Sequence, residues 1–321
     1  MTPDQNWDCL CAGIVVADFF CAPIAQFPPP GGLILTDGLQ MAIGGCAANV
    51  AVDLAKLGRR VAISACVGDD LFGRAVCDML ARERVDISSI QPVAEVPTSG
   101  TFVINVRGED RRFIHCIGSN GVYDGRQITR DQLGRSRSLY VGGFGLLESL
   151  SPEAVARLFL DARELGVPTL LDVVLPAGRD FASSIAPVLP FTDVFFPNTD
   201  EAAVLLGETD PVRQAREFLR LGVRTVIVTC GADGAVIGTR DALWKCGVHP
   251  VDAVDATGTG DAFVAGFIHA LLDRKSLEEC IRAGAALGAS CVRSMGATTG
   301  VFSADELAGY LATHPLPLTE I

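Results

Sequence analysis

The stretch LYVGGFGLLESLSPEAVARLFLDARELGVPTLLDVV, Leu139 to Val174, reads as strand, helix, strand. Its two ends, "LYVGG" and "TLLDVV", are short apolar runs of the length and composition of buried strands. Between them "SPEAVARLFLDARELG" (Ser151 to Gly166) has a capping residue in front and a glycine behind, the punctuation of a helix. The pattern recurs downstream with "DVFFPN" from Asp193, "DPVRQAREFLRLG" (Asp210 to Gly222) and "TVIVTC" from Thr225. Strand, helix, strand in repetition implies an α/β fold with a mostly parallel sheet covered by helices. One segment breaks the pattern: "GTFVINVRGEDRRFIHCIG", within Pro97 to Tyr123, has two strand-like runs around a polar Gly-Glu-Asp turn and predicts an antiparallel hairpin. With the Pro-rich stretch Phe19 to Asp37 it predicts a β-rich flap from about 18–43 and 97–123, carried by one domain over residues 1–321.

Of the 321 residues 49% are hydrophobic and 20% charged, an ordinary globular balance. The formal net charge of −12 repels polyanions and argues against nucleic acid or an anionic membrane as partner. A phosphate, if bound, must be held by a local field. The start "MTPDQNWDCL" lacks the basic region of a signal peptide, and Asp18 interrupts the apolar run that follows, so a cytoplasmic location is expected. The eleven cysteines form no C-x-x-C pair and the four histidines show no metal-ligand spacing, which points to reduced core thiols rather than zinc.

Four stretches place unusual chemistry where ligands bind in open α/β sheets, beyond the carboxyl ends of strands. In "DATGTGDAFVAGF" (Asp255 to Phe267), Gly258, Thr259 and Gly260 can bring backbone N–H groups to an anion, helped by the positive end of the helix that follows. Asp261 there suits a proton acceptor for an attacking hydroxyl, or else a helix cap. In "TCGADG", Thr229, Gly231 and Gly234 form a nucleotide loop or a tight hairpin. In "FPNTDEA", Asn198 and Glu201 suit a magnesium ion through water, or a capping box. In "GGCAANVAVDLAKLG", Gly44 and Gly45 precede Asn49, a polar residue on an otherwise apolar helix face, read as a ligand contact or a buried cap.

Taken in chain order, these motifs resemble the ribokinase-like (PfkB) family of carbohydrate and nucleoside kinases, from about Asp18 to Gly296, with "VGDDLFG" at Val67 to Gly73 between them. The resemblance implies a Rossmann-like three-layer sandwich with a small β-sheet lid, and transfer of the γ-phosphoryl of ATP to a hydroxyl. It implies Asp261 as catalytic base, the backbone of Gly258 to Gly260 as anion hole, and Asn198 and Glu201 organising Mg²⁺ through water. Thr229, Gly231 and Gly234 would lie along the nucleotide, and Asp18, Gly45 and Asn49 would bind substrate hydroxyls. A K⁺ ion is implied at Asp255, Thr257 and carbonyls near Ser294 and Gly296, and a homodimer through the lid. The stretch "LLDVVLPAG" departs from the family pattern, which leaves the role of Asp172 open.

Asn105, Arg107 and His115 on the flap are the positions expected to distinguish substrates, although Arg107 beside its turn reads first as a solvated charge and His115 as either a satisfied lid histidine or a sugar contact; the resemblance places Asn120 in "GSNG" near the bound substrate, and Phe144 is either a ring-stacking or a core aromatic. Arg107, Arg111 and Arg112 cluster at one turn instead of surrounding a pocket, so an unphosphorylated sugar or sugar acid is favoured over a phosphosugar. A nucleoside is the next reading. A sensor without catalysis would not need Asp261, and a dinucleotide oxidoreductase would need a G-x-G-x-x-G that "CAGIVVADFF" lacks.

Overall fold

The structure, a computed structural model, describes residues 6–108, 112–176 and 181–321. Arg111 and the tip of the Gly-Glu-Asp turn, residues 109–110, lie outside the described residues. In chain order the strands are β1 Cys9–Gly13, β2 Val16–Cys21, β3 Leu39–Gly44, β4 Val61–Gly68, β5 Asp86–Val93, β6 Gly100–Ile104, β7 Arg112–Cys116, β8 Leu139–Phe144, β9 Thr169–Val173, β10 Val194–Phe195, β11 Thr225–Thr229, β12 Ala235–Thr239, β13 Leu243–Cys246 and β14 Leu318–Glu320. The α-helices are α1 Cys46–Lys56, α2 Leu71–Arg82, α3 Arg130–Gly134, α4 Pro152–Glu164, α5 Ala182–Ile185, α6 Thr199–Leu206, α7 Pro211–Arg220, α8 Thr259–Leu272, α9 Leu277–Cys291 and α10 Ala304–Thr313.

Among the described residues, ten strands form one sheet in the order β14-β13-β12-β11-β10-β9-β8-β1-β4-β5. It is parallel from β11 to β5 and antiparallel among β11 to β14. Its central strands β1, β4, β8 and β9 are buried at every position, which is why they read as unbroken apolar runs. Alternate side chains feed two cores: Cys9, Cys11 and Tyr140 point toward α1, α8 and α9, while Leu10, Leu139 and Val141 point toward α4 and α7. The strand–helix–strand unit of the opening stretch is β8, α4, β9, with Ser151 capping the helix through the N–H of Ala154.

The flap is a separate sheet in the order β3-β2-β6-β7. The expected hairpin is β6–β7, paired from Gly100 with Cys116 to Ile104 with Arg112. Most of the Pro-rich stretch is irregular and connects β2 to β3; only Phe19 to Cys21 of it are strand. The chain leaves the large sheet for the small one at Gly13, where φ is 137° and an added Cβ would stand 2.0 Å from the Gly142 carbonyl oxygen. Phe19 stacks on Phe102 within the small sheet and meets Phe72 of α2 edge-on, with ring centroids 5.3 and 4.9 Å apart.

Candidate active site

The first turn of α8 lies beyond the carboxyl ends of the strands and lines an open cleft. Its N-cap is Gly258 in the left-handed region (φ 77°), packed so closely on Ala297 that a Cβ would meet that residue's carbonyl oxygen at 2.5 Å. No side chain caps this helix. Asp261 is therefore not the cap: it stands in the first turn, 8% exposed, and its Oδ2 accepts a 2.8 Å hydrogen bond from Asn49 Nδ2. The amide on the apolar face of α1 is explained by this bond, which ties α1 to α8 across the cleft wall. Asn49 Oδ1 is buried without a partner.

Around Asp261 the cleft gathers negative charge. Asp261, Asp172 and Cys46 each offer a ligand atom within 4.8 Å of the others. Asp172 on β9 accepts from the Tyr140 hydroxyl at 3.0 Å. Glu201 and Asn198 form a reciprocal capping box on α6, Glu201 N donating to Asn198 Oδ1 at 2.8 Å and Asn198 N donating to Glu201 Oε2 at 2.9 Å. The cap and the cleft position coincide: the same box that starts α6 holds the Glu201 carboxylate beside Asp172 and Thr229.

Burial raises the pKa of Asp261, against the pull of hydrogen bonds from Asn49 and Cys46. Burial, with the charges of Glu201 and Asp261, pushes Asp172 well above the usual carboxylate range. Glu201 rises to about 7 through burial, opposed by the Asn198 N–H and reinforced by Asp261. Each carboxylate lacks solvent and faces another of the same sign.

A second, narrow cleft lies between the small sheet and the loop after α9, lined by Asp18, Phe20, Val103, Asn105, Asp255 and Met295 among others. Asp18 leans over Gly44, where a Cβ would stand 2.0 Å from Asp18 Oδ2, so the missing side chain makes room for the carboxylate. Burial raises Asp18 to about 6, opposed by the Thr101 hydroxyl and reinforced by Asp261. Gly45 caps α1 at φ 92° against the Ile14 carbonyl. Asp255 organises the loop before α8: its Oδ1 accepts from Thr257 N at 2.9 Å and Thr257 Oγ1 at 2.7 Å, and its Oδ2 from Gly296 N at 2.9 Å.

Residues 8–303 match the family described as pfkB family carbohydrate kinase. The chain belongs to this family. It is 29% identical over 296 residues to the ribokinase of Haemophilus influenzae, covering 90% of this chain and 93% of that protein. It is 30% identical over 287 residues to the aminoimidazole riboside kinase of Salmonella typhimurium, covering 85% and 89%. Arabidopsis thaliana ribokinase, solved with ribose and ATP, superposes with a TM-score of 0.83 at 23% identity over 96% of this chain and 99% of that one. This pfkB protein is thus an ATP-dependent kinase of the carbohydrate and nucleoside class on the ribokinase fold.

The remaining positions of the pfkB chain separate into those at a cleft and those in the framework. Asn105 lines the second cleft and donates from Nδ2 to the Cys21 carbonyl at 3.4 Å. His115 is exposed on β7 beside Thr101. Asn120 is fully buried, taking the Val15 N–H on Oδ1 at 3.1 Å, and lines neither cleft. Thr229 borders the larger cleft. Gly231 and Gly234 form the β11–β12 turn, and Gly234 has a packing reason of its own, since a Cβ would stand 1.9 Å from the Cys246 carbonyl oxygen. Phe144 is a core aromatic, 5% exposed. Arg107 donates from Nε to the Pro23 carbonyl at 3.2 Å. Sequence reasoning passed over Cys46 and Tyr140 and left Asp172 without a role. The readable signal was a lone carboxylate inside the apolar run "TLLDVV".

Proposed function

We propose that this kinase phosphorylates a hydroxyl of an unphosphorylated, uncharged sugar, with Asp261 as general base. The observation that carries the reading is the buried Asp261 carboxylate, oriented by Asn49 in the first turn of a helix whose N–H groups no side chain caps. Burial raises the pKa of Asp261, which makes its carboxylate a better proton acceptor than a solvated one. Asp261 takes the proton of the attacking hydroxyl, the freed oxygen forms a bond to the γ-phosphorus, and the bond to the bridging oxygen breaks to release ADP. The backbone N–H groups of Gly258, Thr259 and Gly260 meet the charge on the migrating group.

The donor set of the larger cleft fits a magnesium ion, because Asp172, Glu201 and Asp261 are carboxylates whose mutual repulsion a cation relieves. Asn198 and Glu201 would hold it through water, and it would supply charge neutralisation to the phosphates. Thr229, Gly231 and Gly234 follow β11 toward the nucleotide. Potassium is a further proposal at Asp255 and Thr257, whose bonds to each other and to Gly296 shape the loop before α8; equal rates in Na⁺ and K⁺ would remove it.

On the substrate side Asp18, Gly44, Gly45 and Asn49 would hold sugar hydroxyls with Asn105 beside them on the lid, while His115, exposed on β7, and Asn120, buried against Val15 and Ser99, would shape the lid and its base without touching the sugar. Among the described residues neither cleft is lined by Lys, Arg or His, which disfavours sugar acids and phosphosugars. A nucleoside is the second reading, supported by the apolar wall of Phe20, Ile43, Val103 and Met295. A homodimer through the lid is supported by exposed Phe102, Phe113 and Ile114 near the edge strand β7. The free state of all eleven cysteines supports a cytoplasmic location; among the described residues no helix is long and apolar enough to cross a membrane.

The test is ADP release with MgATP across neutral sugars, sugar acids, phosphosugars and nucleosides. Turnover confined to one class and abolished in Asp261→Asn supports the reading. Binding of ATP and a sugar without turnover in any class would replace it with a sensor.

A further inference from the structure

On the reading that Asp18 receives sugar hydroxyls, whatever orients its carboxylate helps set affinity. Asp18 is registered with Thr101 across β2–β6, and Thr101 with His115 across β6–β7. Directly opposed residues share a sheet face. Carboxylate, hydroxyl and imidazole therefore form one row running outward from the second cleft, while Phe102, Ile114 and Arg112 alternate to the other face. Thr101 Oγ1 stands 3.0 Å from His115 Nδ1, and the same side chain lies next to Asp18 on the shared face, where its hydroxyl draws that carboxylate's pKa down against the effect of burial. Among the described residues, the other charged groups facing Asp18 are Asp261 from α8 and Asp255 from the loop before it, both carboxylates.

A threonine hydroxyl has one proton to give and lone pairs to receive. It can donate to Asp18 while accepting from a protonated Nδ1 of His115. When Nδ1 is bare, the imidazole competes with Asp18 for the same proton. We propose that Thr101 is a positioning residue for the sugar-binding carboxylate, and that His115 governs whether the Thr101 proton points at Asp18. The row selects for substrates that need a charged, fixed acceptor at Asp18, and it takes no part in phosphoryl transfer.

The experiment measures D-ribose binding to the full chain by calorimetry without nucleotide, from about pH 5 to 8, beside kcat and KM for ribose with MgATP. Thr101→Val is expected to weaken ribose binding about tenfold, the equivalent of one charge-assisted hydrogen bond. KM should rise by the same factor with kcat within about twofold. The acid limb of affinity should move to higher pH, because the ionised carboxylate loses a donor. Thr101→Ser should restore all three, and His115→Phe, which removes the competing acceptor, should bind ribose at pH 8 at least as tightly as the wild type. Unchanged affinity and acid limb in Thr101→Val, failure of serine to rescue, or wild type that does not bind ribose overturns the proposal. Ribose that binds with the expected Thr101 dependence but is never phosphorylated would sink the kinase reading alone.

Discussion

At the start of α8, Asp261 is held by Asn49, Gly258 is pressed against Ala297, and Glu201 is locked into the cap of α6. On the small sheet, by contrast, β7 is exposed at every residue, and Asp18 is kept in place by little more than the space over Gly44 and a neighbouring hydroxyl. One region buries its polar groups among helices that also form the core; the other rests on the body through contacts such as Phe19 with Phe72. The difference assigns the two halves different freedoms. Moving a group near Asp261 disturbs packing that many residues share, whereas an exposed side chain of β7 can change with little consequence for folding. On the proposed reading, chemistry sits where geometry is over-determined and substrate choice where it is not.

The comparison breaks most visibly if the rigid half is not where the chemistry is. Asp261→Asn should lower kcat by about 10²- to 10⁴-fold with ATP affinity nearly intact, measured by steady-state kinetics and nucleotide titration. Near-normal turnover would remove Asp261 from the role of base.

A second test probes the charge stored in the same cleft. Glu201 has its folded pKa raised from 4.5 to about 7, so its contribution to stability is full below 4.5 and is lost as pH rises through 7. Glutamine keeps the capping box but does not titrate. In metal-free protein, wild type should lose about 2 kcal/mol relative to Glu201→Gln between about pH 5 and 8, read by denaturant unfolding. A constant difference across that range would show that the carboxylate is not held in the repulsive cluster.

Third comes the boundary between the halves. Gly44→Ala introduces no positive-φ strain but places a Cβ where Asp18 Oδ2 now lies. Sugar KM should rise about tenfold while the melting temperature shifts by only a few degrees. An unchanged KM would mean Asp18 does not touch the sugar.

The smallest effect is expected at the lid surface. Ile114→Lys should convert a lid-mediated dimer to monomer in sedimentation while changing kcat per site by less than about twofold. Retained dimerisation would move the interface elsewhere.

Much of the fold was legible because its signals are local. A strand buried on both faces must be apolar throughout, and a helix between two such strands shows its cap and its terminal glycine, so β8, α4 and β9 could be read directly. The hairpin β6–β7 was legible from two strand-like runs around a polar turn, and the irregular connection after Cys21 was not, because proline richness signals extended chain without saying whether it pairs. Candidate residues were legible where a polar side chain contradicted its surroundings, as Asn49 does on α1. Asn198 and Glu201 carried two readings that looked exclusive and in the structure share one arrangement.

The layered α/β architecture, the family and the glycine-rich start of α8 follow from the order of residues alone, because each depends on periodicity, turn chemistry or motifs within a few residues. That Asn49 meets Asp261 across 212 positions, that Asp172 and Cys46 lie beside Asp261, and that Asn120 and Phe144 are buried away from both clefts emerged only from the folded chain. Those outcomes depend on which helix packs against which strand end. A buried carboxylate takes its partner, and its pKa, from that packing rather than from its neighbours in the chain.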